Sequence, residues 1–280
     1  MNTHIPAIDR VTRWLSAVTV VLYCAFILLP FFWIGITGFK RQIDVLMARL
    51  WFEPTMANFD KLLNAPDATF LHNLFNSVVT SIVSTALVLA IAVISAHCLV
   101  HKKLPRWLPA LLLGLTLLFH IVPPVTFIGS WYVMFRQVGL FDTLTGLVLA
   151  YTATNLPVGL WLGVNYAREV PKELLEAAEL DCLGPWQQFR HVFLPLMRNG
   201  LVAIGLLVFI FVWSDFMVAL NLSARAAQTV PVAITSFAQN EQIRYAEMAA
   251  SSLLAMLPAL ALLLLGQRHI VQGLLSGSVK

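Results

Sequence analysis

The densest group of side chains able to do chemistry lies in segment 168–198. Five acids, Glu169, Glu173, Glu176, Glu179 and Asp181, stand there against Arg168 and Lys172. Leu174, Leu175, Ala177 and Ala178 alternate with them at helical spacing, which predicts a short amphipathic helix. Pro171 suits the first turn of that helix, and Glu173 favours the positive end of its dipole. Gly184-Pro185 breaks it. A second short helix is expected beyond, with Trp186, Phe189 and Val192/Phe193 at spacings of three and four, ended by Pro195. The chemistry on offer is recognition. A small Ala177-Ala178 surface lets another backbone come close, and the flanking acids can pair with a basic partner. The rival reading lays the helix on lipid headgroups, but such helices carry a Lys/Arg-rich polar face, and this one is acidic.

Other candidates are scattered. Asp215 stands beside Trp213 and ahead of Asn221 in an otherwise apolar run. It reads either as an acid facing a membrane cavity or as a residue at the outer interface. Trp213 could stack on a sugar ring or anchor the membrane interface. Asn155, just before Pro157, could line a pathway or bond a neighbouring helix across a kink that frees a carbonyl. His97 and His101 are four apart, compatible with metal ligation, yet they sit beside Lys102-Lys103 and read as a solvated helix end. The seven histidines show no metal spacing, and the three cysteines, Cys24, Cys98 and Cys182, are far apart, which suggests neither a disulfide framework nor a zinc site. No Ser–His–Asp order, P-loop or dinucleotide fingerprint accompanies them, and an intramembrane enzyme lacks its converging acid–base cluster. No catalytic, cofactor or metal residue is expected.

What must position these residues is a membrane domain. Apolar residues make up 59% and charged residues 11%, with a mean hydropathy of +0.80, whereas soluble domains are about 45–50% apolar and about 25% charged. A spanning helix needs about 20 mostly apolar residues. Six spans are expected, near 14–38, 73–98, 108–135, 143–166, 199–221 and 247–267, in a single all-α domain over 1–280. Pro123-Pro124 should kink the third, and Gly159 and Gly205 are packing candidates. No small-residue cleavage site follows the first run, so span one is expected to stay as an anchor.

With six spans both termini share a side. That side holds Arg10, Arg13, Lys102, Lys103, Arg106, Arg168, Lys172, Arg190, Arg198, Arg268 and Lys280, most of the 18 basic residues. Both termini are therefore expected in the cytoplasm. The small net charge of +4, spread over short loops, points to membrane orientation and away from nucleic acid.

The spacing inside 168–198 also carries a resemblance. Glu176-Ala177-Ala178, three residues, a Gly position, nine residues, then Val192-Phe193-Leu194-Pro195 resembles the signature of permease subunits of binding-protein-dependent ABC importers. The wider run Leu-Glu-Ala-Ala-Glu-Leu-Asp, Pro-Trp-Gln-Gln-Phe-Arg and Leu-Pro-Leu is similar to the carbohydrate branch, particularly the smaller permease of maltose-type systems. So are the tail, Gln267 through Gly273 and on to Lys280, and the opening, Leu28-Leu29-Pro30-Phe31 with Phe39-Lys40. Cys182 occupies the family's Gly position, with Gly184 two residues later, and the turn there is expected to be reshaped.

The resemblance implies a type I ABC importer permease fold with a cytoplasmic coupling helix, in a bacterial or archaeal inner membrane. It implies a second permease subunit, most simply a heterodimer, two ATPase subunits that hold ATP and Mg, and an external sugar-binding protein. Glu176 would carry the main polar contact with an ATPase, Ala177 and Ala178 the close approach, and Leu194-Pro195 the elbow into span five. Asp181, Cys182 and Gly184 would shape the loop, and Arg268, Gly273 and Lys280 in the tail could reach the ATPase interface. The cargo would be a di- or oligosaccharide. A polyol, glycerol phosphate or amino acid fits the same features. A secondary transporter would show internal repeats and midplane charges, which this chain lacks.

Overall fold

In the computed structural model the described residues are 7–65, 68–102, 104–105, 107–238 and 243–276, with side chains described from Thr12 to Gly266 within them. They form helices and connecting turns. Helix α1 (Ala7–Gly38) is followed by the short α2 (Gln42–Leu46) and α3 (Ala57–Asn64). The long α4 (Phe70–His101) leads to α5 (Trp107–Ile121), α6 (Val125–Gln137) and α7 (Leu144–Glu169). Then come α8 (Lys172–Leu180), α9 (Pro185–Gln188), a π-helical turn (Phe189–Phe193), α10 (Leu194–Leu196), α11 (Arg198–Ser214) and α12 (Met217–Leu222). Last are α13 (Val230–Ser236) and α14 (Tyr245–Ser276).

Four of these helices are long and apolar enough to cross a membrane, Thr12–Gly38, Phe70–His101, Leu144–Glu169 and Tyr245–Gly266, and two bent pairs raise the number to as many as six. One bend, between α5 and α6, is 94°. It is about a right angle, larger than an ordinary kink, at the Pro123-Pro124 pair expected to bend this span. Two adjacent residues without N–H groups interrupt the ladder, and the residue before each is pushed out of the α region. The other bend, 73°, separates Pro185–Leu196 from Arg198–Ser214. It falls at Met197, after Pro195 instead of at it. The π turn closes with the Leu194 N–H on the Phe189 carbonyl, and a widened turn relieves the clash that a proline ring ordinarily makes with the carbonyl behind it. The fifth span is likewise shorter than expected, since α11 stops at Ser214 and the chain restarts as α12.

The described residues fall into two compact units. In the first, formed from Met1–Ala68 and Ile234–Leu254, the carbonyls that end α1 are satisfied by a side chain. Asn58 Nδ2 donates to Gly38 O and Lys40 O, both at 2.8 Å. Gln42 fixes the start of α14, donating to Ile243 O at 2.6 Å and accepting from Ala246 N at 3.1 Å. Glu247 receives Arg244 at 2.9 Å and Lys61 at 3.4 Å.

In the second unit, Thr69–Ala233 with Ala255–Lys280, α4 and α7 form the core with α11 across them. A methyl group added at Gly159 would sit 2.5 Å from Val88 Cγ1, so glycine there is what lets α7 approach α4. Gly205 makes a looser contact, with Leu89 Cδ1 3.2 Å from the same imagined position. The face of α4 that meets the core is polar as well as small. Asn76, Ser77, Thr80, Ser81 and Ser84 are all buried, and Asn76 Nδ2 donates to Ala226 O and Gln228 O while Ser77 Oγ accepts from Val230 N.

Candidate functional site

Two places gather the residues that could act. The first is the segment between α7 and α11. Pro171 stands as the N-cap of α8, one position outside the helix it was expected to open. At the other end the backbone makes a complete Schellman closure. Leu183 N donates to Ala178 O at 3.1 Å and Cys182 N to Glu179 O at 3.0 Å, with Cys182 in the left-handed region at φ +59°. Cys182 itself takes the conformation that glycine adopts without steric cost. Gly184 instead caps α9, donating its N–H to Gln187 Oε1 at 2.9 Å, and Gln188 Nε2 ties back to Leu183 O at 2.9 Å.

These bonds give the segment an inner and an outer face. Leu175, Phe189, Phe193 and Met197 are buried together with Val93 and Ala96 of α4 and Val164 and Ala167 of α7. Phe193 packs 4.6 Å from the His97 ring, and Phe189 lies 5.4 Å from it. His97 is thus enclosed by aromatic rings and is not a solvated helix end, while His101 Nε2 bonds Ala167 O at 3.0 Å. Neither histidine belongs to a group of three metal-ligating side chains among the described residues. The outer face carries Glu176, Ala177, Glu179 and Asp181, all exposed, beside two large apolar side chains left open, Leu180 at 85% and Trp186 at 66%. Ala177 and Ala178 therefore divide: Ala177 is exposed, whereas Ala178 is 4% exposed and belongs to the chain's own core. Leu194 is half-buried and Pro195 exposed at the elbow.

The second place is a cavity of about 180 Å³ at the break after α11, lined by Asn155 and Thr154 of α7, Asp215, and the rings of Phe119, Phe127 and Phe211. Phe119 and Phe127 stack at 4.7 Å across the α5–α6 bend. Asp215 shapes the break, its Oδ1 accepting from Val218 N at 3.0 Å and Ala219 N at 3.4 Å, so the carboxylate restarts the helix that it interrupts. Asn155 spends its Nδ2 locally, on Tyr151 O at 2.9 Å and Thr154 Oγ1 at 3.2 Å. The other two residues singled out with them lie elsewhere. Trp213 is buried on Phe209, its indole N–H on Ala255 O at 3.2 Å. Asn221 is exposed and bonds Met217 O in its own helix. In the tail, Arg268 and Gly273 lie on the backbone of α14, and Lys280 lies outside the described residues.

One positioning residue gave no signal in the sequence. Asp142, at φ +56°, accepts from the N–H groups of Ala224, Arg225, Ala226 and Ala227 at 2.8 to 3.2 Å. Partial burial alone would raise its pKa, but those four N–H groups outweigh burial and hold the carboxyl below the ordinary carboxylate value. The clamp fixes the loop after α12, whose carbonyls at 226 and 228 receive Asn76.

Comparison with known proteins places this geometry. Residues 89–276 match the family described as binding-protein-dependent transport system inner membrane component. A trehalose transport system permease protein of Mycobacterium tuberculosis is 34% identical over 275 residues, covering 97% of this chain and 98% of that one. A trehalose/maltose transport system permease protein of Thermococcus litoralis is 28% identical, covering 98% of each. Among solved structures, a bacterial ABC transporter involved in the import of the acidic polysaccharide alginate superposes with a TM-score of 0.75 at 18% identity, covering 100% of both chains, a likeness in fold.

Proposed function

The chain belongs to the family of binding-protein-dependent transport system inner membrane components, and from that premise we propose that it is the permease subunit of an ATP-driven importer carrying a di- or oligosaccharide into the cytoplasm. The observation that carries the cargo class is the 34% identity, over nearly the whole chain, to a trehalose permease. The cavity supports it in kind. Flat apolar rings beside an amide and a carboxylate are the surfaces on which a sugar's C–H face and hydroxyls can rest.

In this reading 1–280 is one transmembrane domain with six spans, α5 with α6 forming the third and α11 the fifth, and both termini are cytoplasmic. The α8 to α10 segment is a coupling element seated in an ATPase cleft. Glu176 and Asp181 face basic groups there, Ala177 admits close approach, and Leu180 and Trp186 supply apolar contact. Leu175, Phe189 and Phe193 fasten the element to α4 and α7, with Leu194-Pro195 as the elbow and Cys182 and Gly184 as the two corners. ATP and Mg belong to two partner ATPase subunits, and this chain is not itself catalytic. A second permease, a sugar-binding protein outside and contacts from the tail at Arg268, Gly273 and Lys280 complete the assembly. Asn155 and Asp215 face the sugar, while Trp213 and Asn221 act on the helices that frame the path.

The test is uptake by the assembled complex in proteoliposomes. Trehalose or maltose accumulation that requires enclosed ATP and the binding protein is expected. Uptake that persists without ATP and follows the proton gradient would sink the reading.

A further inference from the structure

Where α4, α5, α7 and α8 come together, three groups that can carry positive charge face one cavity of about 380 Å³: His101, Arg168 and Lys172. None of the residues lining it is an acid. Among the described residues neither Arg168 nor Lys172 has an ion-pair partner. His101 is held by its Nε2 bond to Ala167 O at 3.0 Å, so its ring is fixed beside the two longer side chains. Two fixed cations, Arg168 and Lys172, beside a polar imidazole around an open volume create a field that an anion satisfies.

The remaining wall decides what kind of anion. Leu99, Leu113 and Val164, from α4, α5 and α7, line the same cavity. A small hydrated anion gains nothing from that surface. A molecule with a phosphate at one end and hydrocarbon at the other matches both walls. The volume is in the range of small-ligand sites, about 300–1,000 Å³. The site also lies at the ends of two membrane-crossing helices, Phe70–His101 and Leu144–Glu169, which is the level at which headgroups sit.

We propose that this cavity is a binding site for an anionic phospholipid, its phosphate between Arg168 and Lys172 with His101 beside it and its first methylenes against Leu99, Leu113 and Val164. Basic pockets between membrane helices hold anionic headgroups in this way. Lys172 is also the first residue of α8, so the lipid would brace the start of the segment proposed to couple to the ATPase. Which leaflet it comes from rests on the proposed cytoplasmic orientation, but the site does not.

The assembled complex is to be reconstituted in equal phosphatidylcholine and phosphatidylglycerol, extracted in mild detergent and weighed by native mass spectrometry. Retained phosphatidylglycerol is expected on the wild type and about tenfold less on Arg168→Gln/Lys172→Gln, two lost charge contacts at an anionic headgroup. Arg190→Gln/Arg198→Gln, which removes the same charge elsewhere in the loop, is expected to keep it. Equal retention by the wild type and the first pair would overturn the proposal, as would equal loss from the second pair. If the first pair fails to assemble, Lys172→Gln alone, at an exposed position, replaces it, and unchanged retention there overturns the proposal in the same way. Inorganic phosphate titrated into the delipidated complex separates the sources. Phosphate that binds alone and displaces phosphatidylglycerol would assign the site to a soluble anion and overturn the lipid. This readout does not depend on transport, so it can fail while the transport reading stands.

Discussion

The ring of Phe193 lies 4.6 Å from that of His97, and through that contact the segment between α7 and α11 is fastened to α4. Phe193 is fully buried, so Phe193→Ala leaves a void that its surroundings fill only in part. A loss of about 3 kcal/mol is expected, read as a lower melting temperature of the purified complex. In proteoliposomes the same variant should hydrolyse ATP with little transport, because the segment proposed to couple the two would lose its hold on α4. Full coupling in Phe193→Ala would remove this contact from the mechanism.

Neighbouring alanines should behave differently. Ala177→Asp is expected to insert and fold normally yet to uncouple ATP hydrolysis from transport, since it places a charge on the exposed face proposed to dock. Ala178→Asp buries an unpaired carboxylate in the chain's own core and should lower the yield of folded protein. Glu176→Lys, on the exposed side, should resemble Ala177→Asp. Wild-type transport rates in Ala177→Asp and Glu176→Lys would refute the docking role.

Cys182→Gly is expected to stabilise the loop by about 1 kcal/mol, because a side chain in the left-handed region costs about 1–2 kcal/mol and glycine's extra unfolded-state freedom returns part of it. Cys182→Val should lower stability by a comparable amount, a β-branched residue being the least suited to positive φ. Thermal unfolding of the two variants against the wild type reads both signs.

Asp142 sets a pH dependence. Its carboxyl titrates lower in the folded protein than in the unfolded chain, so its contribution is complete above the unfolded value, about 3.9, and fades as pH falls through the lower folded value. Asp142→Asn is expected to be less stable than the wild type at neutral pH, and the gap should close in strongly acidic buffer. A gap that is constant with pH would mean that the charge is not what holds the 224–227 loop.

At the cavity, Asp215→Ala should raise the KM for sugar about tenfold, the size of one lost hydrogen bond to a charged group, and Asn155→Ala should act in the same direction. Trp213→Phe, which keeps the ring stack on Phe209 but loses the bond to Ala255, should leave KM near the wild-type value. An unchanged KM in both Asp215→Ala and Asn155→Ala would place the sugar path elsewhere.

The apolar runs made the long helices legible in the sequence, and the acids of 168–181 made α8 so, because burial in lipid and exposure to water leave opposite compositions. Asn155 and Asp215 stood out for the same reason, as polar residues at membrane depth. What stayed hidden were relations that no local pattern encodes. Asp142 looks like any loop acid until the chain brings the 224–227 amides around it. The polar face of α4 looks like weakly apolar filler until loop 226–230 supplies its partners. Ala177 and Ala178 are identical in type, and only the folded chain tells the open one from the buried one. Pro195 reads as a helix end because a widened turn ahead of it has no signature in residue type.

That widened turn, Phe189–Phe193, sets the phase between α11 and everything before it. Each residue of an α-helix advances the chain by about 100°, so removing one residue of α10, which unlike the π turn holds none to spare, would swing Trp186 and α8 by about that angle. Conservative substitutions would pass through this stretch with little trace, while a one-codon deletion would point the coupling face at the wrong neighbour. What the turn guards is a count of residues, which a deletion scan reads directly, whereas an alanine scan reads only the side chains of Phe189 and Phe193.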